Sequence, residues 1–127
     1  MQNVVYLIMP VGSDPDFTLK RSLLERVFAQ NDLSGYIPPE NAENLIFEPD
    51  VAVAEMKKAH VIIADLTLER PSCYFEVGLA QGAQLDVHLI ASEGTPVHLV
   101  GRRDGVTFYD SNDNYVRIIE RLIHDSC

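Results

Sequence analysis

Apolar positions along this chain follow two rhythms. Val4, Val5, Tyr6, Leu7, Ile8 and Met9 form an unbroken apolar run with β-branched and aromatic members, the pattern of a strand buried on both faces. The run breaks over residues 10–16, where Pro10, Gly12, Ser13, Asp14 and Pro15 supply turn chemistry. Leu19, Leu23, Leu24, Val27 and Phe28 then recur at helical spacing, which predicts a helix of about 12–15 residues capped by Asp16. Residues 35–39 can hold a short second strand, and the pattern fades through Glu48. Pro49 and Asp50 open a second helix running to Ala59, and residues 60–65 read as the clearest strand of the chain. A loop over 66–72 leads into a helix over 73–84. Gly78 and Gly82 lower its propensity and, spaced four apart, mark close packing of a helix on a sheet. Strands over 87–91 and 106–109 follow, and residues 114–124 close the chain as a helix with Tyr115, Ile118, Ile119, Leu122 and Ile123 on one face.

Strand and helix patterns thus alternate throughout. The alternation predicts an α/β fold, a flavodoxin-like or Rossmann-like doubly wound sheet of five parallel strands with helices on both faces. Ligands of such sheets sit outside the carboxyl ends of the strands, where the winding reverses. The loops over 10–16 and 66–74, after the two most apolar strands, are therefore the expected site.

Composition narrows the partners. The 127 residues fit one domain, residues 1–127, and 46% apolar content supplies a core without disulfide staples. Nineteen acidic against ten basic side chains give a net charge of −9, which argues against a DNA or RNA polymer or an anionic membrane surface as partner. No apolar run approaches the ~20 residues that cross a bilayer. Met1, Gln2 and Asn3 lack the basic start of a signal peptide, so a cytoplasmic location is expected. Cys73 and Cys127 form neither a disulfide framework nor a metal site, and His60, His88, His98 and His124 never pair at ligand spacing. Gly94, Thr95 and Pro96 lack the layout of a P-loop. No metal and no cofactor is expected.

Candidate chemistry concentrates in residues 64–80. Asp65 ends a buried strand, where an apolar side chain costs less, and it can bind sugar hydroxyls, steer a proton or merely cap the loop. Thr67 and Ser72 bracket that loop. Glu76 falls in the first turn or two of the next helix, where the helix dipole favours the ionised form by about 0.3–1 kcal/mol. An ionised glutamate at the mouth of a cleft can attack an anomeric carbon or stabilise an oxocarbenium ion. Acidic residues in first turns are also common for the dipole alone, and a tyrosine such as Tyr6 in a buried strand is commonly core.

Three blocks carry a resemblance: VVYLIMPVG at residues 4–12, AHVIIADLT at 59–67 and PSCYFEVGLAQG at 71–82. Their order and spacing resemble the nucleoside 2-deoxyribosyltransferase-like superfamily, especially its TIR-like nucleotide-binding branch, and the likeness covers nearly the whole chain. It implies N-glycosidic bond chemistry on a small-molecule nucleoside or nucleotide, with Glu76 as the nucleophile toward the sugar C1′. Through the first block it implies Tyr6 near the sugar, with Pro10, Gly12 and Ser13 near the 5′ end of the substrate. Through the second it implies Asp65 and Thr67, and through the third Arg70, Ser72 and Gly78, at the substrate. Ser72 corresponds to a serine that helps hold a 5′-phosphate. Arg70 stands where the transferases carry an aspartate, and an arginine suits a phosphate, which shifts the expected substrate from free nucleosides toward nucleotides.

The resemblance also implies a homo-oligomer in which one subunit completes a neighbour's site. Ser72 and Cys73 resemble the glutamate region of TIR-type NAD glycohydrolases, so NAD cleavage stays open. A nucleotide-sensing module without chemistry is the third reading.

Overall fold

The first apolar run sits inside a parallel sheet. In a computed structural model describing residues 3–38, 47–98 and 105–126, β1 (Val4–Ile8) lies between β2 (Ser34–Tyr36) and β3 (Val61–Asp65). β4 (His88–Ser92) and β5 (Val106–Tyr109) extend the far side, giving the order β2-β1-β3-β4-β5 with every pair parallel. Four helices connect or follow the strands: α1 (Phe17–Gln30), α2 (Pro49–Lys58), α3 (Pro71–Gly82) and α4 (Asn112–Asp125). This is the expected flavodoxin/Rossmann-like α/β architecture, and its winding reverses between β1 and β3. Pro39, the last residue of the segment expected to hold β2, lies outside the described residues.

Period-two alternation in the strands divides the core. Val5, Leu7 and Met9 of the first run, with Val61 and Ile63 of β3, face α1 and α4. Tyr6, Ile8, Ile62 and Ala64 face α2 and α3. The apolar stripe of α4 is buried as its spacing predicts, through Tyr115, Ile118, Ile119, Leu122 and Ile123. That helix begins earlier than expected because Ser111 caps it, its Oγ accepting the Asn114 N–H at 3.1 Å.

Three local expectations are corrected. Leu19 does not belong to the inner face of α1 and stays exposed; Phe17, Lys20, Leu24, Val27 and Phe28 form the buried stripe. Asp16 occupies the cap position of α1, but its side chain makes no cap bond; its N–H donates to Asp14 Oδ1 at 2.8 Å. Gly78 and Gly82 do not mark close helix–sheet packing, since a Cβ at either position would meet nothing within 4 Å.

Lys20 is buried because the strand ends demand a cation. Asp65 is 0% exposed at the end of β3. Its Oδ2 accepts from Lys20 Nζ at 3.3 Å and from the Tyr109 hydroxyl at 2.8 Å. Its Oδ1 accepts from the Thr67 N–H at 3.1 Å and the Thr67 hydroxyl at 2.6 Å. Lys20 Nζ also donates to Asp14 Oδ2 at 2.8 Å. Burial alone would lower the pKa of Lys20, but the Asp65 charge and the bonds to Asp14 and Tyr109 outweigh it and hold the amine above its ordinary value. One cation therefore staples the loop after β1 to the end of β3.

Two stability outcomes follow from these environments. Lys20→Met leaves Asp14 and Asp65 without their cation and lowers unfolding free energy by about 3–5 kcal/mol in urea titration; a change below 1 kcal/mol would remove the staple from this account. Gly78→Ala, in an open helix interior, raises it by about 0.5–1 kcal/mol, and a loss would show that Gly78 meets a surface absent here.

Candidate functional site

The start of α3 is set by its sequence. Arg70 is extended at the cap position and Pro71 opens the helix, where the missing N–H costs nothing. The Cys73 and Tyr74 N–H groups both donate to the Arg70 carbonyl, at 3.1 and 3.2 Å. The Ser72 N–H is left as the first-turn amide with no bond among the described residues. The groups at this helix start that suit an anion are thus the Ser72 amide, its hydroxyl and the Arg70 side chain.

Along α3, Cys73, Val77 and Ala80 bury against the sheet. Ser72, Phe75 and Glu76 share another face at i, i+3 and i+4 and border a cavity of about 690 Å³. The opposite wall is the end of β1 and the loop from Met9 to Ser13. This is the crevice at the winding reversal, and its volume suits a small organic ligand.

Of the residues singled out in the sequence, Pro10, Gly12, Ser13, Arg70, Ser72 and Glu76 line this cavity together. Asp65 does not: both of its oxygens are engaged in the Lys20–Tyr109–Thr67 network, so no hydroxyl of a ligand reaches it. Thr67 faces a second, shallower cavity of about 440 Å³ bordered by Asp14, Lys20, Ser92 and Tyr109. Its hydroxyl also accepts the Ser92 N–H at 2.9 Å. Gly78 is exposed on α3 and borders neither cavity.

Tyr6 is 2% exposed and lies off the cavity lining, stacked on Tyr36 with ring centroids 4.8 Å apart and planes 5° apart. Burial first, and the Glu76 charge second, push its pKa up, so Tyr6 is electrostatically coupled to Glu76 and keeps its proton. Phe47, Phe75 and Cys73 line the cavity without having been singled out for it. Phe75 has a sequence signal in hindsight, an aromatic residue directly preceding the candidate glutamate. Phe47 has none, because it falls where the periodicity fades.

Glu76 differs from expectation in its electrostatics. It is the sixth residue of α3, and no acidic residue occupies the first turn. The helix field fades within that turn. Burial dominates instead and pushes the Glu76 carboxyl up to about 7. Among the described residues it has no hydrogen bond or ion pair. Burial likewise pushes the Cys73 thiol up to about 12, which makes it a poor nucleophile at neutral pH.

The loop between β3 and α3 is strained. Leu68 and Glu69 are left-handed, with φ of 69° and 46°, a conformation that costs a non-glycine residue roughly 1–2 kcal/mol. Hydrogen bonds of Glu69 hold it. The Glu69 N–H donates to the Leu66 carbonyl at 2.9 Å, and Glu69 Oε1 accepts from the Tyr74 hydroxyl at 2.9 Å and the His98 N–H at 3.0 Å. The tight turn brings Arg70 back over the cavity.

Among the described residues no group of three or more His, Cys, Asp or Glu is placed to hold a metal, and no helix is long and apolar enough to cross a membrane. No family model matches the chain, and no curated protein matches it.

Proposed function

We propose that this cavity cleaves or transfers the N-glycosidic bond of nucleosides or nucleoside 5′-monophosphates, with Glu76 as the carboxylate that meets C1′. The observation that carries the reading is the Glu76 carboxyl itself: half-buried in the cavity wall, unpaired among the described residues, and one helical turn from Ser72. An unpaired, partly desolvated carboxyl is costly to keep, and functional sites are where such groups gather. The likeness of the three sequence blocks to the deoxyribosyltransferase-like superfamily supports the same reading, and adds a homo-oligomer to it.

The chemistry follows from a carboxylate in a low dielectric. Ionised Glu76 attacks C1′ as the bond to the base breaks, the bonding pair leaves with the base nitrogen, and water supplies the proton the base takes up. Water then attacks C1′ and frees Glu76 with net retention; a second base in place of water gives transfer. Positive charge developing on the sugar is stabilised by the adjacent carboxylate more strongly than it would be in bulk water. Arg70, with the Ser72 amide and hydroxyl, forms a short-range site for a 5′-phosphate. The length of one furanose with its 5′ carbon is comparable to the ~5.4 Å turn between Ser72 and Glu76.

Base release tests this in two ways. Incubation with a panel of nucleosides, nucleoside monophosphates and NAD, with free base read by chromatography, is expected to show release from the monophosphates; nicotinamide release would move the reading to NAD cleavage. Glu76→Gln lowers base release at least ~10³-fold, and a variant with full turnover would sink the nucleophile.

The pH dependence has a defined sign. Only ionised Glu76 reacts, so kcat/KM rises with pH through about 7. The folded-state pKa is raised above 4.5, so the folded protein binds this proton more tightly than the unfolded chain. The group therefore costs stability as pH climbs from 4.5 through about 7. Glu76→Gln is expected to raise Tm above that of the unmodified protein at pH 8, with the difference shrinking toward pH 4 in calorimetric scans.

A further inference from the structure

Two phenylalanines on the cavity lining have no part in the scheme above. Phe47, two residues before α2, and Phe75, in α3, are 42% and 53% exposed. Their ring centroids lie 5.8 Å apart with planes at 70°. Two ring planes at that angle make a corner, in which a third flat ring can stack on one face while its edge meets the other. Both border the same cavity as Glu76, Arg70 and Ser72.

Helix geometry relates this corner to the rest of the site. Phe75 directly precedes Glu76 and lies three residues past Ser72, on the face that all three share. A sugar whose C1′ meets Glu76 and whose 5′ end meets Ser72 and Arg70 has its base close to Phe75. Exposed aromatic carbon is unfavourable in water, and a planar base removes it from solvent without demanding hydrogen bonds of a particular pattern.

We infer that Phe47 and Phe75 form the subsite for the leaving base, so that the cavity takes N-glycosides of planar heteroaromatic bases and discriminates against sugar phosphates that lack one. The inference rests on the reading of the cavity as a nucleotide site and names the part of the substrate that its apolar end holds. Because stacking is tolerant of base identity, the subsite selects for an aromatic ring and not for one particular base.

The test uses the full chain carrying Glu76→Gln, so that the ligand survives the titration. Binding of a purine deoxynucleoside 5′-monophosphate and of deoxyribose 5-phosphate is measured by calorimetry, with and without Phe75→Ala. The expected result is about 5- to 100-fold weaker nucleotide binding in Phe75→Ala, sugar-phosphate binding within about twofold, and recovery in Phe75→Tyr. Phe47→Ala is expected to act in the same direction. Equal losses for both ligands, or no loss for either, overturn the subsite. So does a Phe75→Ala variant that changes the sedimentation mass while binding nucleotide normally, because the rings would then belong to a contact between copies of the chain.

Failure of the two ideas is separable. Phe75-dependent nucleotide binding by a protein that releases no base from any substrate upholds the subsite and discards the cleavage. Glu76-dependent cleavage with equal kcat/KM for Phe75→Ala does the reverse, and absence of nucleotide binding discards both.

Discussion

One buried cation, Lys20, ties together the end of this sheet that borders the cavity. Lys20 reaches from α1 to Asp14 in the loop after β1 and to Asp65 at the end of β3, with Tyr109 of β5 completing the Asp65 shell. Buried ion pairs contribute little net stability, because removing both charges from water costs about as much as their attraction returns. Their consequence here is geometric. Asp14 Oδ1 takes the Asp16 N–H while Oδ2 takes Lys20, so the loop that forms one wall of the cavity is fixed at its far end. Asp65 Oδ1 takes the Thr67 N–H, so the strained turn leading to Arg70 is fixed at its near end. One ammonium group thus links an end of each wall, directly through Asp14 and by way of Asp65.

The sheet end holds two candidate carboxylates with opposite fates. Asp65 is fully buried and surrounded by donors, and its charge is spent on holding the fold. Glu76 is half-buried beside the cavity and has no donor among the described residues, so burial works against its charge. Burial therefore makes the ionised form of Glu76 a cost that the fold carries at neutral pH. A ligand that brings positive character to C1′ removes part of that cost only when it binds. Asp65 has both oxygens engaged by protein donors, and this asymmetry is why the catalytic proposal centres on Glu76.

How much of this was legible depended on what the pattern encodes. Runs of apolar residues announce β1 and β3 because both faces are covered, and the spacing of Tyr115 to Ile123 announces α4 because one face is apolar. Lys20 was invisible for the converse reason: periodicity counts a lysine as outward, yet a buried aspartate on a neighbouring strand reverses its preference. Leu19 was misplaced by the same substitution, since the inner stripe runs through Lys20. At the site, strand ends and helix starts point to the loops over 10–16 and 66–74 and to Glu76, while the resemblance of the three blocks singles out Pro10, Gly12, Ser13, Arg70 and Ser72. Phe75 does not stand out there, because which face of α3 opens on a cavity depends on how the helix packs, and Phe47 falls where the periodicity fades. The raised pKa of Glu76 was hidden too, since burial is a tertiary property that overrides the helix-end argument.

A net charge of −9 is an awkward setting for an anionic substrate. The long-range field opposes approach, but salt screens it beyond about 8–10 Å, and a bound phosphate depends on donors much closer than that. In the proposed site, Arg70 and the Ser72 amide would act within hydrogen-bond range, at a helix start whose dipole adds a positive field. The acidic surplus therefore weakens encounter more than it weakens the bound state. It also disfavours long polyanions, which meet the whole surface and gain little from one local pocket. On the proposed reading, a local positive site inside a globally negative chain would select for small anions over polymers, at a cavity that also carries two aromatic rings.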